Sequence, residues 1–176
     1  MKSLLLFVLL IMITSQIFAQ KSQDTIYWRP DYKLRWSDFK GTQENDRWEA
    51  ASSCQFSCSY HFNESHIYFT SHCYFLTKKS WIDSIICSNN TLSHEQGHFD
   101  ICEIYSLKLL NKLNESNIEI YDIKKTVSYL YDYITSQYLE FDQLYDNETL
   151  HGSNILMQKE WNIKIQELLK DIQMAK

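Results

Sequence analysis

Glycine and proline are scarce in this sequence, which has three glycines and one proline among 176 residues. Both residue types mark turns, so their scarcity argues against a fold of many short strands joined by tight loops. Long regular elements, particularly helices, are expected instead. The hydrophobic share of 44% and the aromatic share of 15% suffice for one good core, and we therefore expect one domain.

Clustered positive charge is also missing. The formal net charge is −5 at pH 7, and no group of lysine and arginine residues carries interleaved aromatic residues. A nucleic-acid partner is not expected, because binding to phosphate groups requires a basic surface. The acidic balance indicates solubility and no particular partner.

Long apolar runs are lacking except at residues 3–19, which follow a lysine and carry no charge. Polar residues from Thr14 onward interrupt this run before it reaches the roughly 20 apolar residues of a membrane span. A short apolar run that ends in a small residue, here Ala19, is typical of a cleaved signal peptide. We expect residues 1–19 to be removed and residues 20–176 to form a secreted or periplasmic protein, with no membrane contact beyond the export signal.

The cysteines do not form a recognisable metal site. They are Cys54, Cys58, Cys73, Cys87 and Cys102. Their spacing is not that of a zinc knuckle, and no second cysteine pair completes a tetrahedral site. In an exported protein they could pair, and the odd count leaves at least one free. We interpret them as small buried hydrophobic residues, with one or two bridges among them.

Residues 51–75 alternate apolar and polar side chains in the pattern of a half-buried β-hairpin. Residues 63–65 supply the polar turn between the two strands. Folding about that turn places Phe56 near Cys73, with two further cysteines diagonal to it, so that one cross-strand disulfide is possible. The three histidines of this hairpin are interpreted as surface residues, and only His72 is considered for the neighbourhood of a metal.

His94, Glu95 and His98 fit the HExxH pattern of zinc hydrolases. Two histidines four residues apart lie about 40° from each other on one helix face and can hold one metal ion. Zinc lowers the pKa of a bound water from 15.7 towards about 7, and a neighbouring carboxylate can accept its proton. The pattern therefore predicts a zinc-dependent hydrolytic site with Glu95 as the general base.

Apolar residues at three- and four-residue steps predict three long helices, over residues 91–113, 120–144 and 153–174. The polar run at residues 88–91 supplies capping side chains for the first helix. We expect an α+β fold in which a small antiparallel sheet precedes three long helices and the first helix carries the metal motif. Gly97 inside that helix indicates close packing against another backbone.

A catalytic zinc generally needs a third protein ligand in addition to water. The predicted loop at residues 145–152 holds both candidates, with His151 as the first choice and Asp146 as the alternative. Asp100, just after the motif, would point away from the two histidines on an unbroken helix. Tyr145 lies beside the candidate ligands and is predicted to polarise the scissile carbonyl or to stabilise the oxyanion.

Four segments resemble, in order, the motifs of a bacterial family described as predicted secreted zinc-dependent proteases, domain of unknown function 922. They are WSDFKG at residues 36–41, SW at residues 80–81, HEQGHFDI at residues 94–101 and YDNETLHG at residues 145–152. The resemblance spans essentially the whole mature chain. It implies a zincin-like fold, a metal bound by His94 and His98, and Glu95 as the base.

Together these features predict a secreted or periplasmic zinc metallopeptidase that acts on a peptide or protein substrate. His94, His98 and His151 would bind Zn²⁺ in this hypothesis. A zinc-stabilised binding or envelope-associated module without catalysis is the alternative, although a purely structural site has no need of Glu95. A hydrolase of non-peptide substrates that uses the same zinc chemistry is a third hypothesis.

Overall fold

The computed structural model describes residues 24–43, 48–63, 66–83 and 88–174. The predicted signal peptide, Cys87 and residues 64–65 of the predicted turn lie outside the described residues. The elements follow the chain in the order β1 (Thr25–Tyr27), β2 (Ala50–Ala51), β3 (Cys54–Asn63), β4 (His66–Leu76), β5 (Trp81–Ile82), α1 (Asn89–Glu115), α2 (Ile123–Thr149) and α3 (Ile155–Met174). The fold is α+β, with a small antiparallel sheet followed by three helices, as the sequence predicts.

Strands β3 and β4 form the predicted hairpin. Phe56 lies opposite Cys73 in their antiparallel register, which confirms the predicted pairing. Strand β1 adds to the other edge of β4, so that the sheet has the order β1-β4-β3. Strands β2 and β5 form a separate antiparallel pair, which the sequence patterns did not predict because two-residue strands are too short to show an alternation.

The cysteines of the described chain are free thiols: Cys54, Cys58, Cys73 and Cys102. The possible cross-strand disulfide is therefore not formed among them. Burial raises the pKa of the Cys73 thiol well above its ordinary value, and the neighbouring Cys102 and Cys54 raise it further. Cys73 stays protonated and packs as a small hydrophobic group, in line with the interpretation from the sequence.

Helix α1 is the central element of the core. It packs against the β3–β4 hairpin on one side and against both α2 and α3 on the others. Its apolar stripe is almost completely removed from solvent, with Ile101, Ile104, Leu109 and Leu113 at 1% exposure or less. The metal motif therefore lies on the most confined element of the fold, where surrounding side chains restrict its movement.

The predicted helices all occur, with ends that differ from the prediction by a few residues. The side chain of Ser88 caps the first turn of α1 by accepting a hydrogen bond from the Thr91 amide at 3.1 Å, as its position in the polar run predicted. No helix in the described ranges is long and apolar enough to cross a membrane.

The predicted loop at residues 145–152 is wrong over residues 145–149. Helix α2 continues to Thr149, so Tyr145 and Asp146 are helical. The chain has no glycine or proline between residues 145 and 149 to end the helix there. The helix stops at Leu150, which adopts the left-handed conformation with φ of 50°.

The central position of α1 makes truncation of its core side chains costly. Leu109 is fully buried, whereas Leu139 on α2 is 58% exposed. We expect Leu109→Ala to lower the free energy of unfolding by about 2–5 kcal/mol, because it leaves a cavity that the core cannot refill. Leu139→Ala is the matched control and should change it by less than about 1 kcal/mol. Chemical denaturation of both variants measures the difference, and equal losses would contradict this description of the core.

Candidate metal centre

Three ligand atoms converge at the start of α1. His94 Nε2 and His98 Nε2 lie 3.1 Å apart, and each lies 3.1 Å from Asp146 Oδ1. Donor atoms at 2.0–2.1 Å from a tetrahedral zinc lie about 3.3 Å from one another. The spacing of the three atoms therefore fits a single small cation, and they form the candidate metal site of the described chain.

Each histidine ring also forms a hydrogen bond through its Nδ1 atom, on the side away from the cluster. His94 Nδ1 lies 3.0 Å from Gln158 Oε1, and His98 Nδ1 lies 2.7 Å from Asp142 Oδ1. Both oxygens can only accept, so each Nδ1 carries a proton and each ring turns its Nε2 to the cluster. A metal ion bound there would replace any proton on Nε2, because only a deprotonated ring nitrogen can be a metal ligand.

The charges around the cluster favour a bound cation. Burial works against a charged His98, but Asp142, Asp146 and Glu95 outweigh it and raise the pKa of His98 well above its ordinary value. Burial likewise acts to raise the pKa of Asp146, yet hydrogen bonds from His94 and His98 lower it far below its ordinary value. Asp146 is therefore a carboxylate, and the surrounding field is negative.

Gln158 orients His94 and was not predicted from the sequence. It is 1% exposed and lies on α3. Its amide nitrogen donates to the Tyr145 hydroxyl at 2.7 Å and to Asn162 Oδ1 at 2.8 Å, which leaves Oε1 to accept from His94. The available signal was a polar residue in phase with the apolar stripe of α3, at the position one turn before Trp161.

Tyr145 is not among the residues that line the cleft, and this position does not favour its predicted role in polarising the carbonyl or stabilising the oxyanion. Its side chain is fully buried. The ring stacks on His94 with centroids 4.6 Å apart, and the hydroxyl donates to the His94 carbonyl at 3.0 Å. Burial raises the pKa of Tyr145 far above its ordinary value, so the hydroxyl remains a donor. Tyr145 is a positioning residue for His94.

Gly97 gives Tyr145 its place. A Cβ atom at position 97 would overlap the hydroxyl and ring of Tyr145. The predicted close packing of Gly97 is thus present, but the neighbour is a side chain and not a backbone. A glycine at this position lowers the stability of the helix by up to about 1 kcal/mol, but the absence of its Cβ atom lets the Tyr145 ring lie against His94.

His151, the first choice of third ligand, lies beside the cluster, whereas the third converging atom belongs to Asp146, the alternative candidate. Its Nδ1 lies 3.2 Å from Asp146 Oδ1, while its ring centroid is 6.5 Å from that of His94. The ring packs against Trp48 in a tilted arrangement, with centroids 3.7 Å apart. The continuation of α2 to Thr149 presents Asp146 to the histidines and leaves His151 as a neighbour of that carboxylate.

A left-handed turn closes this side of the site. Leu150, His151 and Gly152 have φ values of 50°, 52° and 80°, and such a conformation costs a residue other than glycine about 1 kcal/mol or more. Gly152 has a second reason to be glycine, because a Cβ atom there would lie 2.8 Å from His94 Cβ. The Asn90 amide donates to the Gly152 carbonyl and ties the turn to the start of α1.

Glu95 lines the cleft beside the cluster. The cleft has a volume of about 660 Å³ and is bordered by β2, the start of α1 and the left-handed turn. Glu95 is 3% exposed, and its Oε2 has no hydrogen-bond partner within the described chain. A buried carboxylate oxygen without a partner is costly. A group bound next to the three converging atoms would satisfy this oxygen.

His72 is distant from this chemistry in the structure. It is exposed on β4, and its ring packs edge-on against Tyr27 with centroids 5.9 Å apart. Its interpretation as a surface residue is correct, and it does not belong to the metal cluster.

Comparison of the chain with models of known protein families, with curated proteins and with solved structures finds no match.

The cluster should bind one zinc ion per chain. Alanine at His94, His98 or Asp146 removes a ligand, and each variant should lose more affinity than the roughly 10- to 100-fold that loss of an outer hydrogen-bond partner costs. His61→Ala, on the exposed part of β3, is the control and should bind as the parent does. Competition with a chromogenic chelator measures the constants. Full affinity in the Asp146→Ala variant would show that this carboxylate is not a ligand.

Loss of the Gln158 contact should weaken the same site without removing a ligand. Gln158→Leu keeps a side chain of similar size but frees the His94 ring to adopt the other tautomer or to rotate. We expect zinc affinity to fall about 10- to 100-fold. Gln137→Leu on the exposed face of α2 is the matched control, and a zinc affinity unchanged in Gln158→Leu would contradict the positioning role.

Proposed function

We propose that this protein is a zinc-dependent metallopeptidase with a zincin-like fold, secreted or located in the periplasm, in which His94, His98 and Asp146 hold the metal. The observation that carries the proposal is Glu95, a buried carboxylate with an unpartnered oxygen beside three converging ligand atoms. The sequence motif and its family resemblance support the same assignment. Four elements contribute to this site, because the ligands lie on α1 and α2, Gln158 lies on α3, and β2 borders the cleft.

The donor set suits zinc. Two neutral imidazoles and one carboxylate are the ligands of many hydrolytic zinc sites, which keep a further position open for water or substrate. Asp142 accepts from His98 and Gln158 accepts from His94. Such outer partners fix the ring orientation and make the ligand nitrogens more basic.

Zinc in this site would polarise a water molecule and the substrate carbonyl. Glu95 then takes one proton from the attacking water, whose oxygen forms a bond to the carbonyl carbon. As the carbon–nitrogen bond breaks, Glu95 delivers that proton to the leaving amine. The unpartnered Oε2 of Glu95 is the atom available for both transfers, since no other described group holds it in place.

Strand β2 offers a way to hold a peptide. One edge of β2 pairs with β5, and Ala50 and Ala51 line the cleft. Within the described residues, no strand pairs with the other edge of β2. An extended peptide can add to that edge through backbone hydrogen bonds, and the small alanine side chains leave room for the side chains of the peptide. This arrangement favours a peptide over a small non-peptide substrate.

The alternative is a module in which zinc serves only stability. A structural site has four protein ligands and no open position. Three ligands converge in the described chain, and a buried unpartnered Glu95 carboxylate would add cost without benefit to such a site. Both points favour the enzyme.

Glu95→Gln separates the two functions. The amide cannot accept the water proton, so we expect hydrolysis of a peptide mixture to fall at least about 100-fold while one zinc per chain remains bound. Glu115→Gln, an exposed change on the same helix, should retain full activity. Product analysis by mass spectrometry and metal analysis of the same samples provide the readouts. Unaltered turnover in Glu95→Gln would rule out the mechanism.

A further inference from the structure

The cleft carries an excess of negative charge. Among the described residues, its lining includes four carboxylates, Glu49, Glu95, Asp142 and Asp146, and no lysine or arginine. Negative side chains that line one low-dielectric cleft reinforce one another and attract cationic groups. The charge of a divalent metal would offset only part of this excess.

Three of the four carboxylates already have a place in the site. Asp146 contacts both ligand histidines, Asp142 holds His98, and Glu95 is the unpartnered buried group next to them. Glu49 is different because it is exposed and forms no ion pair with any residue that the structure describes. Its side chain accepts a hydrogen bond from the Thr91 hydroxyl, which is neutral.

The position of Thr91 fixes how far Glu49 lies from the chemistry. Thr91 precedes His94 and Glu95 by three and four residues on α1, and side chains at that spacing lie about 5–6 Å apart. An extended peptide advances about 3.3 Å per residue. Glu49 is therefore within reach of a substrate side chain that lies one or two residues from the bond positioned at Glu95.

The wall next to Glu49 suits the stem of a long side chain. Trp48 is half-buried and contributes an aromatic ring to the cleft, and this ring packs against His151. Lysine and arginine cover apolar surfaces with their methylene groups while the charge remains free to pair. Ala50, which follows Glu49 in the chain, has a side chain too small to obstruct the side chain of a bound lysine or arginine.

We propose that the cleft selects peptides with a lysine or arginine within two residues of the scissile bond, and that Glu49 binds the cationic group while Trp48 covers its stem. The unpartnered buried oxygen of Glu95 indicates independently that this cleft receives a ligand. The inference rests on the proposed hydrolysis and names its substrate class. Glu49 is the specificity-determining residue and takes no part in bond cleavage.

The test uses three synthetic peptides that are identical except for lysine, methionine or glutamate at one position beside a bond that the zinc-loaded protein cleaves in a peptide mixture. Two quantities are measured for each peptide. The first is kcat/KM with the parent protein, and the second is the dissociation constant for zinc-loaded Glu95→Gln, which holds peptides without cleaving them. The lysine peptide should have a kcat/KM about fivefold higher and a dissociation constant about fivefold lower than the methionine peptide, as one exposed ion pair allows. The glutamate peptide should be the poorest substrate and the weakest ligand.

Charge reversal at Glu49 provides the decisive comparison. Glu49→Lys should reverse the order of the lysine and glutamate peptides, and Glu49→Gln should reduce the preference of the parent without reversing it. Glu167→Lys, an equal charge change on the exposed side of α3, should leave the order unchanged. Thermal unfolding and zinc content of each variant establish that its site is intact, and Glu49→Gln decides the question if Glu49→Lys does not fold.

The outcomes separate the two proposals. Equal cleavage and binding of the three peptides by the parent, or an unreversed lysine preference in folded Glu49→Lys, would overturn the role of Glu49 and leave the peptidase intact. Absence of cleavage by the zinc-loaded parent would overturn the proposed peptidase. In that case, the same three peptides, bearing lysine, methionine or glutamate at a central position, are compared in binding to Glu95→Gln, and that comparison still decides whether the cleft selects a cation.

Discussion

The orientation of the His94 ring is the constraint on which the rest of the structure depends. Its Nε2 can offer a lone pair to the cleft only while Nδ1 donates its proton elsewhere, and the acceptor is Gln158 on α3. Tyr145 on α2 stacks on the same ring and bonds the His94 carbonyl. Gly97 and Gly152 lack the Cβ atoms that would block these contacts. Three helices and two of the three glycines in the chain thus contribute to the position of one imidazole ring. All of these contacts form because α1 packs against both α2 and α3.

Two buried carboxylates on opposite sides of α1 differ in their hydrogen bonding. Asp100 faces away from the histidines and accepts hydrogen bonds from Trp28 at 2.8 Å and Gln166 at 3.2 Å, together with others from Lys33 and Gln96. It joins the amino-terminal segment and α3 to the back of the motif helix. Glu95, on the opposite side, keeps an oxygen without a partner. The firmly bonded Asp100 side lets the helix tolerate an unsatisfied group on the cleft side.

The sequence predicts those parts of the fold that depend on short-range periodicity. The three helices, the pairing of Phe56 with Cys73, and the common face of His94 and His98 all follow from steps of two, three or four residues. The choice of the third candidate ligand depended on where α2 ends. No residue before Gly152 marks that end in the sequence, because leucine rarely adopts the left-handed conformation of Leu150. The role of Gln158 was not predicted because it depends on a contact between α3 and α1, which are far apart along the chain. The short strands β2 and β5 carried no pattern at all.

The 52 residues that separate His94 from Asp146 give the cluster a further meaning. An ion held by both residues would close a chain loop in the manner of a cross-link and would join α1 to α2. Occupancy and folding are then thermodynamically linked, since a ligand that binds only the folded chain adds RT ln(1 + [L]/Kd) to its stability. Under the proposed metal binding, the free metal concentration would therefore influence how much of the protein is folded.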